Sequence, residues 1–308
     1  MVSLRAVLVY DLLMPLLRTK RRYDVAFDGA GLRANVWTAQ PPPASPAGVR
    51  IEHETLLGRP LYRLRPAART PQRRLFHVHG GGFVKPITRH HWRLLVDLCK
   101  RLDAEVVVPF YPLAPEVGIE AMVTAVEATF DAAMGAGCDT LIGDSAGAYL
   151  ALRLAQRLRD RELPAAVTNL VLISPCLDLT AGGGGPITRR LMALNRRDPM
   201  LDLPVIRRVL ALAAAPHAAD DPALDPLSAG VGGLPPMLVL GAHRDIAFPD
   251  AERLVRAVEV AGGDIEFLEG PGMAHVWPLL PVPEARSARR AIADFILRHA
   301  PSPAMGGH

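Results

Sequence analysis

Eight short apolar runs of β-type composition alternate with helix-length segments from Val49 onward, and this alternation restricts the chain to a layered α/β fold. The runs lie at 49–55, 61–64, 75–79, 105–108, 140–142, 170–174, 237–240 and 264–268. Glu105-Val-Val-Val and Val171-Leu-Ile are continuous rather than alternating, as expected of strands buried on both faces of a mostly parallel sheet. Helices are expected at 90–102, 120–134, 146–161, 250–261 and 284–299, joined to the strands by right-handed crossovers. The alternation fails between Asp178 and Asp225, where Gly182 to Gly185 precedes helical patterns at 189–195 and 204–215, so an inserted segment is expected there. The glycine run lacks a following G-K-[ST] and reads as a hinge, and Asp28-Gly-Ala-Gly31 fails the same test for a phosphate loop.

The N-terminal stretch has a different character. Leu4, Val7, Leu8, Leu12, Met14 and Leu17 make a helix apolar on more than one stripe, ending near Pro15 or at the basic run Arg18, Lys20, Arg21 and Arg22. Such a helix needs a covering surface, either the rest of the chain or, through its basic flank, an anionic lipid surface. Asp11 interrupts it and no A-x-A site follows, which argues against a signal peptide, and no run approaches the length of a membrane span. The proline-rich run Pro41 to Pro46 ends this segment.

Composition removes further classes. The 308 residues, 50% hydrophobic and 21% charged, are ordinary globular usage and exclude disorder, collagen and coiled coil. A net charge of +4 with only 5% aromatics does not supply the basic, stacking face of a nucleic-acid binder. Cys99, Cys138 and Cys176 are odd in number and lack metal-ligand spacing, so a reducing, cytoplasmic setting is expected.

Chemistry enters at Gly143-Asp144-Ser145-Ala146-Gly147, a G-x-S-x-G between an apolar strand and an Ala/Leu-rich helix. A serine there is a poor nucleophile unless a neutral imidazole takes its proton and a carboxylate orients that imidazole. In the chain order Ser, acid, His, the histidine that follows a strand in a loop is His275, and Asp245, just beyond the strand at 237–240, is the acid. Asp250 is the nearest competitor, but its place after Pro249 suits a helix N-terminus. Asp178, Asp198, Asp221 and Asp225 read as turn, cap or salt-bridge residues. His79-Gly80-Gly81-Gly82 follows the strand at 75–79, where bare backbone N–H groups can face a developing oxyanion together with that of Ala146. His77, His79, His90 and His91 are close in sequence but have no carboxylate or cysteine at ligand spacing, so no metal is expected.

With these residues in place the chain resembles the hormone-sensitive-lipase-like (bacterial family IV) carboxylesterases. The resemblance covers about 76–296 and rests on His79-Gly-Gly-Gly-Phe83, Tyr111-Pro-Leu-Ala-Pro-Glu116, Gly143-Asp-Ser-Ala-Gly147, Ser174-Pro-Cys-Leu-Asp-Leu179, Asp245 and His275. It implies an α/β-hydrolase fold with an eight-stranded, mostly parallel sheet over 49–300. It also implies N-terminal cap helices at 1–48 and a cap insertion at about 180–222, leaving 301–308 as a flexible tail. The implied roles are Ser145, Asp245 and His275 as a catalytic triad and Gly81, Gly82 and Ala146 as an oxyanion hole, with no cofactor. Phe110-Tyr-Pro-Leu departs from the D-Y-R-L common in the family, Ala148 stands where a glycine is common, and Trp277 is bulkier than usual. Phe83, Tyr149 and Trp277 are the expected pocket contacts because they adjoin the motifs.

The expected function is hydrolysis of short- to medium-chain acyl esters through an acyl-enzyme. Alternatives with the same triad are a lipase, a lactonase and an amide hydrolase. A non-catalytic small-molecule receptor on this scaffold is the competing class, and it expects a missing triad member. The expected partner is a small ester. A peripheral membrane contact through the N-terminal helix and a homodimer are both compatible with the sequence, which shows neither.

Overall fold

Strands β1 (Val49–Leu56) and β2 (Arg59–Pro66) form a hairpin closed by Leu57 and Gly58, whose φ values of 52° and 75° suit the twist of the flanking strands. The remaining strands are β3 (Arg73–Val78), β4 (Ala104–Pro109), β5 (Cys138–Asp144), β6 (Val167–Ile173), β7 (Met237–Ala242) and β8 (Ile265–Gly270). This computed structural model describes residues 2–17, 19–20, 42, 46–135, 137–163, 166–180, 185–218 and 221–299. The eight strands make one sheet in the order β1-β2-β4-β3-β5-β6-β7-β8. Ladders from β4 to β8 are parallel, and β2 is antiparallel to both β1 and β4. All eight expected strands are therefore present.

Among the described residues the helices are α1 (Leu4–Val7, a wider π-type stretch Leu8–Leu13, then Met14–Leu16), α2 (Arg89–Leu102), α3 (Ile119–Met134), α4 (Ala146–Asp160), α5 (Gly185–Arg197), α6 (Leu203–Ala214), α7 (Phe248–Val260) and α8 (Glu284–His299). Their ends follow local chemistry. Thr88 and His91 form a reciprocal cap at the start of α2, which stops at Asp103 in the left-handed conformation. Pro249 occupies the first turn of α7, where its missing N–H has no intrahelical partner to lose.

Continuous apolar strands split their side chains between two layers. On β6, Leu170 and Leu172 face one layer while Val171 and Ile173 face the other, and on β4 Val107 opposes Val106 and Val108. The first layer holds α3, α4, α6 and α7, with Val126, Leu150, Val209 and Leu254 in its core; the second holds α1, α2 and α8, with Tyr10, Trp92 and Ile292. Each fully buried large side chain of this kind contributes roughly 1.5–3 kcal/mol relative to exposure.

The expected N-terminal helix and insertion both have described parts. Helix α1 buries Ala6, Val9, Tyr10 and Met14 against the second layer, and Ser3 bonds Glu284 at the head of α8. Leu4, Leu8, Leu12 and Leu16 face outward at 90%, 50%, 56% and 72% exposure. Helices α5 and α6 occupy the expected insertion between β6 and β7. The glycines at 182–184, the proposed cap residues 21–41 and the tail 301–308 lie outside the described residues.

From β3 the chain crosses to β4 on one side and then returns to β5 on the other, so strand order reverses between β3 and β5. In open α/β sheets the carboxyl ends at such a reversal form a crevice. The glycine loop leaves β3 and the G-x-S-x-G leaves β5 at this place.

Candidate active site

Ser145 sits at the tip of a turn between β5 and α4 with φ 53° and ψ −121°, a conformation that costs a non-glycine residue of order 1–3 kcal/mol. The turn holds because Ser145 N–H donates to Ile173 O at 2.8 Å and because its glycines permit close approach. A Cβ on Gly143 would lie 2.6 Å from Ala148 Cα, and one on Gly147 would lie 2.6 Å from the His79 carbonyl.

Three sequence-distant groups meet at this tip. Ser145 Oγ lies 2.8 Å from His275 Nε2, and His275 Nδ1 lies 2.7 Å from Asp245 Oδ2. Asp245 is fully buried and its Oδ1 accepts the Ala247 N–H at 2.8 Å. The loop after His275 is fixed by Val276 N–H donating to Ser174 Oγ. Burial disfavours the His275 imidazolium, but the adjacent Asp245 carboxylate outweighs it, with smaller help from Asp198 and Asp144, so its pKa is raised. A hydroxyl bonded to such an imidazole can release its proton as it attacks a carbonyl, and the carboxylate stabilises the cation that forms.

The glycine loop is braced from beneath. His77 Nε2 and His91 Nε2 converge on the two oxygens of Asp144 at 3.1 and 3.2 Å. The Asp144 carboxyl pays for burial, yet the two imidazoles hold it below the usual carboxylate range. His79 stacks on Tyr111 with ring centroids 4.5 Å apart, its Nδ1–H donates to Gly80 O, and Tyr111 O–H donates to His79 O at 2.6 Å. Burial pushes His79 down to about 3, so its ring is neutral. Gly80 packs on Asp144, and Gly81 has φ 129°, open only to glycine. Among the described residues no group of three or more His, Cys, Asp or Glu has metal-holding geometry.

Ser145 and His275 open into a cavity of about 290 Å³ that Gly82 and Ala146 also line. Its apolar wall comes largely from the insertion, with Ile187, Leu191, Leu203 and Ile206. The expected contacts Phe83, Tyr149 and Trp277 do not line it, and this corrects the reading from motif proximity. Phe83 has a left-handed φ of 64° that turns its ring into the core, edge-on to Tyr149. Tyr149 is fully buried under α4, and Trp277 packs in the opposite layer with Met273 and Leu279. Asp250 lies in the first turn of α7, the helix-end place expected of it, and its Oδ2 also accepts the N–H groups of Leu177 and Asp178. Asp198, read as a turn residue, lies buried beside the Asp245 loop; no local pattern distinguishes it in the sequence.

Residues 75–279 match the family described as alpha/beta hydrolase fold. The chain belongs to this family. The hydrolase is 34% identical over 243 residues to an acetyl-hydrolase of Streptomyces hygroscopicus, spanning 76% of this chain and 78% of that protein. It is 31% identical over 231 residues to an esterase of Acinetobacter venetianus, spanning 72% and 73%. Its fold superposes with a TM-score of 0.79 on an esterase from the bacterial hormone-sensitive lipase family, at 24% identity and with 97% and 99% of the two chains covered. The hydrolase is thus an enzyme of the esterase and lipase class, and the expected α/β-hydrolase fold is borne out. Among its described residues, no helix is long and apolar enough to cross a membrane.

Proposed function

We propose that the hydrolase is a serine carboxylesterase that cleaves short- to medium-chain acyl esters through an acyl-enzyme on Ser145. The observation that carries this reading is the unbroken chain Ser145–His275–Asp245 opening into an apolar cavity. His275 takes the Ser145 proton as Oγ attacks the ester carbonyl. The oxyanion is received by backbone N–H groups of Gly81, Gly82 and Ala146, the last at the first turn of α4, where N–H groups have no intrahelical acceptor. His275 then protonates the leaving alcohol, and water activated by the same imidazole frees the acid. No step requires a cofactor. The helices α5 and α6 act as the cap that walls the acyl site.

A cavity near 290 Å³ is at the small end of ligand sites and favours short acyl groups. Across p-nitrophenyl esters from acetate to palmitate, kcat/KM is expected to peak among the short and medium chains and fall by palmitate. A maximum at palmitate assigns a lipase instead, and faster turnover of matched lactones or amides assigns one of those bonds.

The raised His275 pKa gives a second expectation. The base works only when neutral, so kcat/KM falls as pH drops through the His275 titration, and the midpoint lies above that of free imidazole. A pH–rate profile with an acid limb below that of free imidazole contradicts it.

The three cysteines are unpaired, which supports a reducing compartment and our placement of the enzyme in the cytoplasm. The outward leucines of α1, with Arg5 in the same helix and a basic run following in the sequence at 18–22, support peripheral contact with an anionic lipid surface.

A further inference from the structure

The turn between α5 and α6 reaches under the site. Asp198, 1% exposed, accepts the N–H groups of Met200 and Leu201 on Oδ1 at 2.8 and 2.9 Å, and that of Ile246 on Oδ2 at 3.0 Å. Ile246 directly follows Asp245, and Leu201 lines the cavity. One residue before Asp198 and two before Ile246, Arg244 Nε–H donates to Arg197 O at 3.2 Å, so the two segments are joined at neighbouring positions. The one carboxylate therefore holds both the pocket wall and the peptide that sets the direction of Asp245.

We propose that Asp198 is a positioning residue for the reaction, a second buried carboxylate that the insertion supplies to hold the Asp245 loop in its working geometry. The inference rests on the serine-esterase reading. Three N–H donors suit an ionised Asp198, although burial and then the Asp245 charge raise its pKa. Its charge also favours the protonated form of His275. The other groups acting on His275 are Asp245, the Ser145 hydroxyl and the more distant Asp144, and Asp178, Asp250, Arg253 and Cys176, whose thiol burial keeps neutral, line the same cavity. Outside Asp198, its cleft holds Asp11, Lys20, Arg196, Arg197 and Arg244, with Asp11 paired to Arg244.

The test uses the full chain as wild type, Asp198→Asn and Asp202→Asn. Asparagine keeps one oxygen for the Met200 and Leu201 N–H groups but turns an amide donor toward Ile246 N–H. Misplacing a reacting group by a fraction of an ångström to an ångström costs on the order of ten- to a hundredfold. Asp198→Asn is expected to lower kcat on p-nitrophenyl butyrate by about tenfold or more with a smaller change in KM. It is also expected to move the acid limb of kcat/KM to lower pH, since a charge that favours imidazolium is gone. Asp202→Asn, a control on the same segment, leaves both unchanged.

A wild-type profile in Asp198→Asn overturns the proposal, and so does a rate loss with an unmoved acid limb. If Asp198→Asn does not accumulate folded, Asp198→Ser, whose hydroxyl keeps a turn acceptor without the charge, is read in the same two ways. Fluorophosphonate labelling of wild-type Ser145 separates the layers of inference. An unlabelled wild type removes the serine-esterase reading and this proposal with it, whereas a labelled wild type with an unmoved variant profile removes the role of Asp198 alone.

Discussion

Replacing Ser145 with alanine is expected to lower kcat on p-nitrophenyl acetate by on the order of 10⁶, leaving only what the backbone donors and the pocket supply. The size follows from how the three groups act. In the proposed mechanism the 2.8 Å bond to His275 Nε2 and the 2.7 Å bond to Asp245 serve only to move one proton off one oxygen, so without that oxygen they have nothing to act on. His275→Ala should cost a comparable factor, and the double variant little more, because members of one unit are not additive. The fold should survive Ser145→Ala. Its backbone bonds do not involve the hydroxyl, and alanine tolerates φ 53° no worse than serine. An alanine variant that stays folded and keeps more than about a hundredth of the wild-type rate would place the nucleophile elsewhere.

Gly147→Ala carries the largest expected loss of stability. A Cβ at Gly147 would press on the Val78 carbonyl oxygen and sit 2.6 Å from both the carbon and the oxygen of the His79 carbonyl. All of these are backbone atoms at the end of β3, so no side-chain rotation relieves the contact. Either α4 lifts from the sheet or the glycine loop is pushed away from Ser145. Overpacking without a flexible neighbour costs about 3 kcal/mol, and urea unfolding of the variant should register a loss of that order. Activity should fall further than stability, since the shifted atoms carry the proposed oxyanion donors. Gly262→Ala is the comparison: a Cβ there meets nothing within 4 Å, and only its φ of 69° is unfavourable. If the two variants unfold at the same urea concentration, close packing between α4 and β3 is not what Gly147 provides.

Much of this architecture is legible in the residues because the features concerned are local. A run such as Val106-Val-Val has no polar face, so it must lie inside a sheet covered on both sides, and β4 does. Ser145, Asp245 and His275 were each recognisable by their place just after a strand, which the sheet converts into convergence at one edge. The cavity wall is different. Ile187, Leu191 and Ile206 belong to helices whose pattern shows only that one face is apolar, and nothing in it says which surface that face will meet. Adjacency in sequence misleads for a related reason. Phe83 and Tyr149 stand next to reacting groups, but the left-handed turn at Phe83 and the helical rotation after Ser145 point both rings inward. Asp198 was unreadable because its role depends on an encounter with Ile246, forty-eight residues away.

The ladder between β3 and β5 pairs His77 with Ile142 and Val78 with Gly143, one step before the glycine loop and the serine turn diverge. The spacing between the proposed attacking oxygen and its backbone donors is therefore inherited from sheet register, while the cavity wall comes from a separately encoded cassette, α5 and α6. Such a division makes the enzyme a natural scaffold for exchanging one cassette for another to accept new acyl groups. A transplanted cassette that omitted an acid at the place of Asp198 would import its new pocket at the expense of the catalytic engine beneath it.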